Sequence, residues 1–97
     1  MMFEILASEI LLNQIKILDE KSKRILESKI DMIKLNPFRF KRIHSKKFSR
    51  VFRIKLNINN IESRLIYVVL GNKIFLVCLL NRKDDYKNLE KYLESIK

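Results

Sequence analysis

Three antiparallel β-strands are predicted from residues 48–80, which read FSRVFRIKLNINNIESRLIYVVLGNKIFLVCLL. From Phe52 to Ile58, apolar residues alternate with polar ones, and this period of two is typical of a half-buried strand. Gly71-Asn72 lies between two β-rich runs and indicates a two-residue hairpin. Those runs, Leu65–Leu70 and Ile74–Leu80, are apolar at nearly every position, so we expect central strands that are covered on both faces.

Helical periods precede and follow these strands. Apolar residues at helical spacing predict one helix after an N-cap at Ser8 and a second after an N-cap at Asp19. Asn36-Pro37 ends the second helix, because the residue before proline disfavours helical geometry. Met2–Leu6 and residues 84–96 add an opening strand and a closing helix. The predicted order is β-α-α-β-β-β-α, an α+β fold whose two N-terminal helices pack on one face of a small, mostly antiparallel sheet.

Length and composition indicate a single domain over residues 1–97. A chain of 97 residues, 47% hydrophobic and 33% charged, is sufficient for one core without metal or disulfide support. Cys78 has no partner cysteine and lies in an apolar run, which favours a packing role. The N-terminus lacks the pattern of a secretory signal, and the longest apolar stretch is interrupted at Gly71. We therefore expect a cytoplasmic protein without a membrane association.

Positive charge is concentrated in one part of the chain. The formal net charge is +10, and the segment from Lys34 to Lys55 contains nine Lys or Arg residues without an Asp or Glu. Such a segment attracts polyanions, above all phosphate backbones. The same charge predicts that a protein partner will be acidic.

Common catalytic motifs are mostly absent from the sequence. It has no glycine-rich phosphate loop, no Cys or His pair at metal-binding spacing and no recognisable Ser-His-Asp set. His44 lies among cations, and Asp84-Asp85 is explained by the helix dipole, so we expect neither a metal nor a cofactor.

Five residues carry a possible chemistry: Arg53, Lys55, Arg64, Arg82 and Tyr86. Taken singly, each has an ordinary interpretation as a solvated strand charge, a strand end or a packed aromatic. Antiparallel pairing can bring them to one patch, where clustered cations would stabilise a phosphorane-like transition state. A tyrosine among cations has a lowered pKa, and RNA supplies its own 2′-hydroxyl nucleophile. A metal-free ribonuclease is therefore chemically feasible.

Three segments resemble the RelE/ParE superfamily of toxin–antitoxin toxins: residues 52–56 (FRIKL), 64–67 (RLIY) and 81–86 (NRKDDY). The resemblance implies a microbial-RNase-like α+β fold. For the RelE branch it also implies a metal-independent endoribonuclease that cleaves mRNA in the ribosomal A site. A cognate RelB-like antitoxin is implied as well, in a hetero-oligomer that often binds operator DNA.

The same resemblance implies roles for individual residues. Arg53 and Lys55 would hold the substrate phosphates, and we assign Lys46, Lys47 and Arg50 of the basic segment to substrate binding with them. Arg64 would stabilise the transition state at the scissile phosphate. Arg82 would supply charge or a proton to the leaving 5′ oxygen. Tyr86 would accept the proton of the 2′-hydroxyl.

Two other functions are compatible with the sequence. A ParE-like toxin would share the fold and inhibit DNA gyrase without cleaving RNA. A nucleic-acid-binding module without turnover would need only the basic segment.

Overall fold

A five-stranded sheet forms the centre of the protein, in a computed structural model that describes residues 2–81 and 89–94. The described elements, in chain order, are β1 (Glu4–Ala7), α1 (Glu9–Lys16), α2 (Glu20–Leu35), β2 (Lys41–Ile43), β3 (Val51–Ile58), β4 (Ile61–Leu70), β5 (Lys73–Asn81) and α3 (Leu89–Glu94). The strand order is β1-β5-β4-β3-β2, with β1 and β5 parallel and the other pairs antiparallel. The predicted α+β fold is confirmed, with β2 as an additional short strand.

Both predicted N-caps are present. The Ser8 hydroxyl accepts a hydrogen bond from Leu11 N at 3.0 Å, and the Asp19 carboxylate accepts one from Ser22 N at 2.7 Å. The second helix ends at Leu35, immediately before Asn36-Pro37. These side-chain acceptors satisfy donors that the first helical turn leaves without a backbone partner.

Two-residue turns connect the three long strands. Asn59 and Asn60 join β3 to β4 with φ of 53° and 63°, the positive values that a type I′ hairpin requires. Gly71 begins the turn between β4 and β5 with φ of +60°. The register of β4 and β5 shifts between Ile66 and Tyr67, so that Val77 is an extra residue on β5.

The sheet separates two hydrophobic clusters. On the helical face, α1 and α2 pack against the even-numbered residues of β3 through a cluster that includes Leu11, Leu26 and Ile33. On the opposite face, Leu89 and Leu93 of α3 pack with residues that include Val68 and Val77. The central strands are therefore buried on both sides, as predicted. Of the closing helix predicted over residues 84–96, only α3 falls within the described residues. In that part of the chain, no helix is long and apolar enough to cross a membrane.

Candidate active site

A group of cations lies on the sheet face opposite α1 and α2, and we call it the cationic face. Its members occupy three neighbouring strands: Lys41 on β2, Arg53 and Lys55 on β3, and Arg64 on β4. Lys41 is directly opposite Arg53, and Lys55 is directly opposite Arg64. The odd-numbered positions of β3 point away from the helices because the even-numbered ones fill the helical-face core. Antiparallel pairing therefore brings together three of the five residues singled out from the sequence.

The register places like charges directly opposite each other on neighbouring strands. Directly opposed side chains in an antiparallel pair have Cβ atoms about 4.5–5.5 Å apart, and like charges at that separation destabilise the sheet. Arg53 lies diagonal to Arg64, because Arg53 pairs with Ile66 two residues further along β4. Local violations of stability rules are typical of functional sites. Here the violation concentrates positive potential at one point of the sheet.

The cationic side chains differ in exposure, which suits them to different tasks. Lys55 is exposed, whereas Arg53 and Arg64 are half-buried, and Arg64 Nε is fully buried. A partly buried guanidinium acts in a medium of lower polarity than water, where its field on a nearby phosphate is stronger. Its geometry also allows two parallel hydrogen bonds to one phosphate. Arg64 is therefore the best placed of the described cations to stabilise charge at a reacting phosphate.

An apolar strip borders the cationic face. Arg64 pairs with Leu80 of β5, and Ile66 pairs with Cys78, all of these apolar partners being buried. Burial raises the pKa of the Cys78 thiol to about 12. The thiol is therefore neutral at physiological pH and serves packing, as its apolar surroundings in the sequence predicted. Within the described ranges, His, Cys, Asp and Glu side chains form no group of three that could hold a metal ion.

Lys46 and Lys47 lie in the loop between β2 and β3. The backbone N–H of Lys46 donates to the Glu90 carboxylate at 3.0 Å, and Lys47 Nζ donates to the Glu94 carbonyl at 3.5 Å. Phe48 of the same loop packs with the α3 cluster. Both lysines, assigned above to substrate binding, thus contact α3.

Arg50 is directed to the other side of the sheet. Its guanidinium carbon lies 5.5 Å from the ring centroid of Phe38, whose ring in turn packs edge-on to Phe52 of the helical-face core. Arg50 and Arg53 therefore belong to opposite faces, although both were predicted to bind the substrate together.

Arg82 and Tyr86, the other two predicted catalytic residues, lie outside the described residues. The structure describes β5 up to Asn81, which pairs with Ser63, the neighbour of Arg64. Lys41 was not predicted as a member of the site. A three-residue strand gives too short a pattern for its pairing with Arg53 to be recognised.

Searches with the sequence find no matching family model and no matching curated protein. Solved structures do match. A mutant of the E. coli toxin RelE in the free state superposes with a TM-score of 0.72 and 19% identity over 100% of both chains. The E. coli RelBE toxin–antitoxin complex gives a TM-score of 0.63 and 19% identity over 80% of this chain and 94% of that chain. The RelE–RelB complex of Pyrococcus horikoshii gives a TM-score of 0.61 and 16% identity over 84% of this chain and 97% of that chain.

The architecture defines a small α+β protein with helices on both faces of one sheet and a cationic group on the face opposite α1 and α2. The superposition on free RelE over the full length of both chains identifies the fold more closely than this architecture alone. The chain has the RelE-like toxin fold, as the resemblance of residues 52–56 and 64–67 implied.

Proposed function

We propose that this protein is the toxin of a type II toxin–antitoxin system, a cytoplasmic endoribonuclease that cleaves mRNA on the ribosome without a metal ion. The observation that carries the proposal is the juxtaposition of Lys55 with Arg64 across β3 and β4, with Arg53 on the diagonal. The likeness to RelE toxins supports the same function. Phosphate is a ligand well suited to clustered cations, which stabilise its negative charge.

The proposed reaction uses the RNA's own nucleophile. Arg53 and Lys55 hold the phosphates, and Tyr86 accepts the proton of the 2′-hydroxyl. The 2′ oxygen then bonds to the adjacent phosphorus, Arg64 stabilises the added negative charge, and the bond to the 5′ oxygen breaks. Arg82 supplies positive charge or a proton to that leaving oxygen. Tyr86 acts as the phenolate and keeps the proton of the 2′-hydroxyl, while the leaving oxygen takes up one proton from Arg82 or from water. The products are a 2′,3′-cyclic phosphate and a 5′-hydroxyl.

The proposed partner is an acidic antitoxin. Two of the matching structures are RelE proteins in complex with RelB antitoxins. The net charge of +10 favours association with a segment rich in Asp and Glu. We propose a toxin–antitoxin hetero-oligomer of this kind, with any contact to operator DNA made through the antitoxin.

Primer extension on a defined mRNA in a translating extract tests the activity. The wild-type protein should produce cuts within A-site codons, which depend on ribosomes and persist in EDTA. Arg64→Ala should lower the cleavage rate by about 10²–10³-fold, the loss typical of removing one donor to a transition-state oxygen. Arg24→Ala, which removes an exposed arginine from α2, should cleave like the wild type.

The same experiment distinguishes the alternatives. If the folded wild-type protein leaves mRNA intact, the nuclease proposal is wrong, and DNA damage in expressing cells would then favour a gyrase-type target. Cleavage that Arg64→Ala leaves unchanged would retain the activity but reject the cationic face as its site. Tyr86→Phe and Arg82→Ala test the two remaining roles in the same extract.

A further inference from the structure

A second basic surface lies on the helical side of the sheet, and we call it the aromatic–arginine cleft. It is an open cavity of about 500 Å³ lined by Phe38, Phe40, Arg42, Arg50 and Phe52. Phe40 and Phe52 belong to the helical-face core, so the cleft and the cationic face lie on opposite sides of the sheet. The proposed cleavage chemistry makes no use of it.

Phe38 is the prominent apolar group of the cleft. Its side chain is 47% exposed, although large aromatic residues usually contribute their area to a core. The rings of Phe3 and Phe52 pack edge-on to it, with centroids 6.1 and 6.0 Å away. Phe52 in turn stacks on the buried ring of Tyr67 at 5.5 Å. The exposed ring is thus supported by a chain of aromatic contacts that reaches the core.

The two arginines of the cleft contact an aromatic ring and a backbone carbonyl. The Arg50 guanidinium lies over Phe38 at 5.5 Å from the ring centroid, and Arg42 Nε donates to the Ser49 carbonyl at 2.9 Å. Among the described residues, no carboxylate lies within ion-pair distance of either side chain. The sequence has no Asp or Glu between Asp31 and Glu62, so the two charged residues that line the cleft lie in a segment without acidic residues.

We infer that the aromatic–arginine cleft binds an unpaired nucleotide of RNA. The base stacks on the exposed ring of Phe38, and the phosphate binds Arg42 and Arg50. This combination of an aromatic surface with cations is the one by which proteins hold single-stranded nucleic acid. The volume lies within the usual range for small-ligand sites. An acidic peptide would satisfy the charge but would leave the exposed ring unused.

The choice of RNA over DNA rests on the proposed function, whereas the binding of a single strand rests on the cleft itself. Since the two basic surfaces lie on opposite sides of the sheet, the cleft would hold a segment of RNA other than the one that is cleaved. Its role would then be to position the toxin on its RNA target.

Fluorescence anisotropy with a single-stranded 2′-O-methyl RNA oligonucleotide tests the cleft without any cleavage. The protein carries Lys55→Gln and Arg64→Gln, which weaken the cationic face and leave the cleft unchanged. In this background Phe38→Leu should reduce affinity by about 5- to 150-fold, the range for losing one stacked base. Phe38→Tyr retains the ring and should bind like the parent protein. Melting curves of both variants verify that each is folded.

Salt titration adds a second readout. Arg50→Gln should reduce the slope of log affinity against log salt by about 0.7, because one phosphate contact to a single strand is lost. Arg24→Gln removes the same charge from the exposed surface of α2 and should leave the slope unchanged.

Equal affinities of the Phe38→Leu and Phe38→Tyr proteins would overturn the inference, and an acidic protein segment would become the ligand to test. If Phe38→Leu loses affinity while the wild-type protein leaves mRNA intact in the translating extract, the cleft is supported and only the nuclease is rejected. The two proposals can therefore fail separately.

Discussion

Neutralising Lys55 should make the protein more stable and less active. Lys55 and Arg64 are direct partners in the β3–β4 register, so their Cβ atoms are about 5 Å apart. Two unit charges about 5 Å apart repel by about 0.8 kcal/mol in water, and this value applies when the Lys55 ammonium and the Arg64 guanidinium are as close as their Cβ atoms. Lys55 is exposed, so the value for water applies better than one for the interior. We therefore expect Lys55→Gln to raise the free energy of unfolding by about 0.5–1 kcal/mol.

For a domain of this size, such a change raises the melting temperature by about 2–8 °C. Lys55→Glu should raise it further, because it replaces repulsion from Arg64 by attraction. Lys55→Arg retains the repulsion and should melt near the wild type. All of these increases in melting temperature should become smaller in 1 M NaCl, where the screening length falls to about 3 Å. Cleavage in the translating extract should follow the opposite order, with Lys55→Glu the least active.

Thermal melts and urea titrations at low and high salt measure these differences. Because the chain carries a net charge of +10, removing any cation could stabilise it slightly, and Arg24→Gln controls for that general effect. If Arg24→Gln stabilises as much as Lys55→Gln, the gain has no local origin. If neither Lys55→Gln nor Lys55→Glu exceeds the wild type at low salt, the opposed cations do not repel as the register requires.

Three further predictions concern groups outside both basic surfaces. The hydrogen bond from Ser22 N holds the pKa of Asp19 below its ordinary value of 3.8, so this carboxylate stabilises the fold above that pH and the benefit is lost as the pH falls through the lowered pKa. Asp19→Asn, which keeps a capping side chain, should flatten the acid side of the stability curve in urea titrations. Burial raises the pKa of the Cys78 thiol to about 12, so this thiol should resist a thiol reagent at mildly alkaline pH and react fully in concentrated guanidinium chloride. Rapid labelling of the native protein would contradict this expectation. Tyr67→Phe removes the hydrogen bond that the hydroxyl donates to the Pro37 carbonyl, and should lower the free energy of unfolding by about 1–3 kcal/mol in urea titrations.

Much of the fold could be predicted because its signals are local. The N-caps at Ser8 and Asp19 require only a side-chain oxygen and the next helical turn. The hairpin at Gly71-Asn72 requires one residue that tolerates positive φ. The alternation in β3 requires only that one sheet face is buried. Each of these signals is complete within a few residues of sequence.

The elements that escaped prediction depend on pairing between distant segments. The short strand β2 shows no period of its own and forms because it pairs with the edge of β3. The contacts of Lys46 and Lys47 with α3 join residues more than forty positions apart. Such contacts depend on how the chain packs and cannot be predicted from its composition.

Arg50 is a different case, because the sheet face on which it lies could have been predicted from the sequence. The charged segment was treated as one unit, although a strand divides its residues between two faces by parity. Arg50 has the parity of Phe52 and so lies on the helical side, whereas Arg53 and Lys55 lie on the other. Two independent basic surfaces follow from that division.

The register that creates the cationic face depends on the turn between β3 and β4. A polar turn around residues 57–60 leaves several registers open, and a shift of one residue would send Arg64 to the helical side. Asn59 and Asn60, both at positive φ, limit the turn to two residues and thereby make Arg64 the partner of Lys55. Asparagine tolerates this conformation better than most residues other than glycine. The electrostatics of the cationic face are therefore determined by two turn residues that lie outside it.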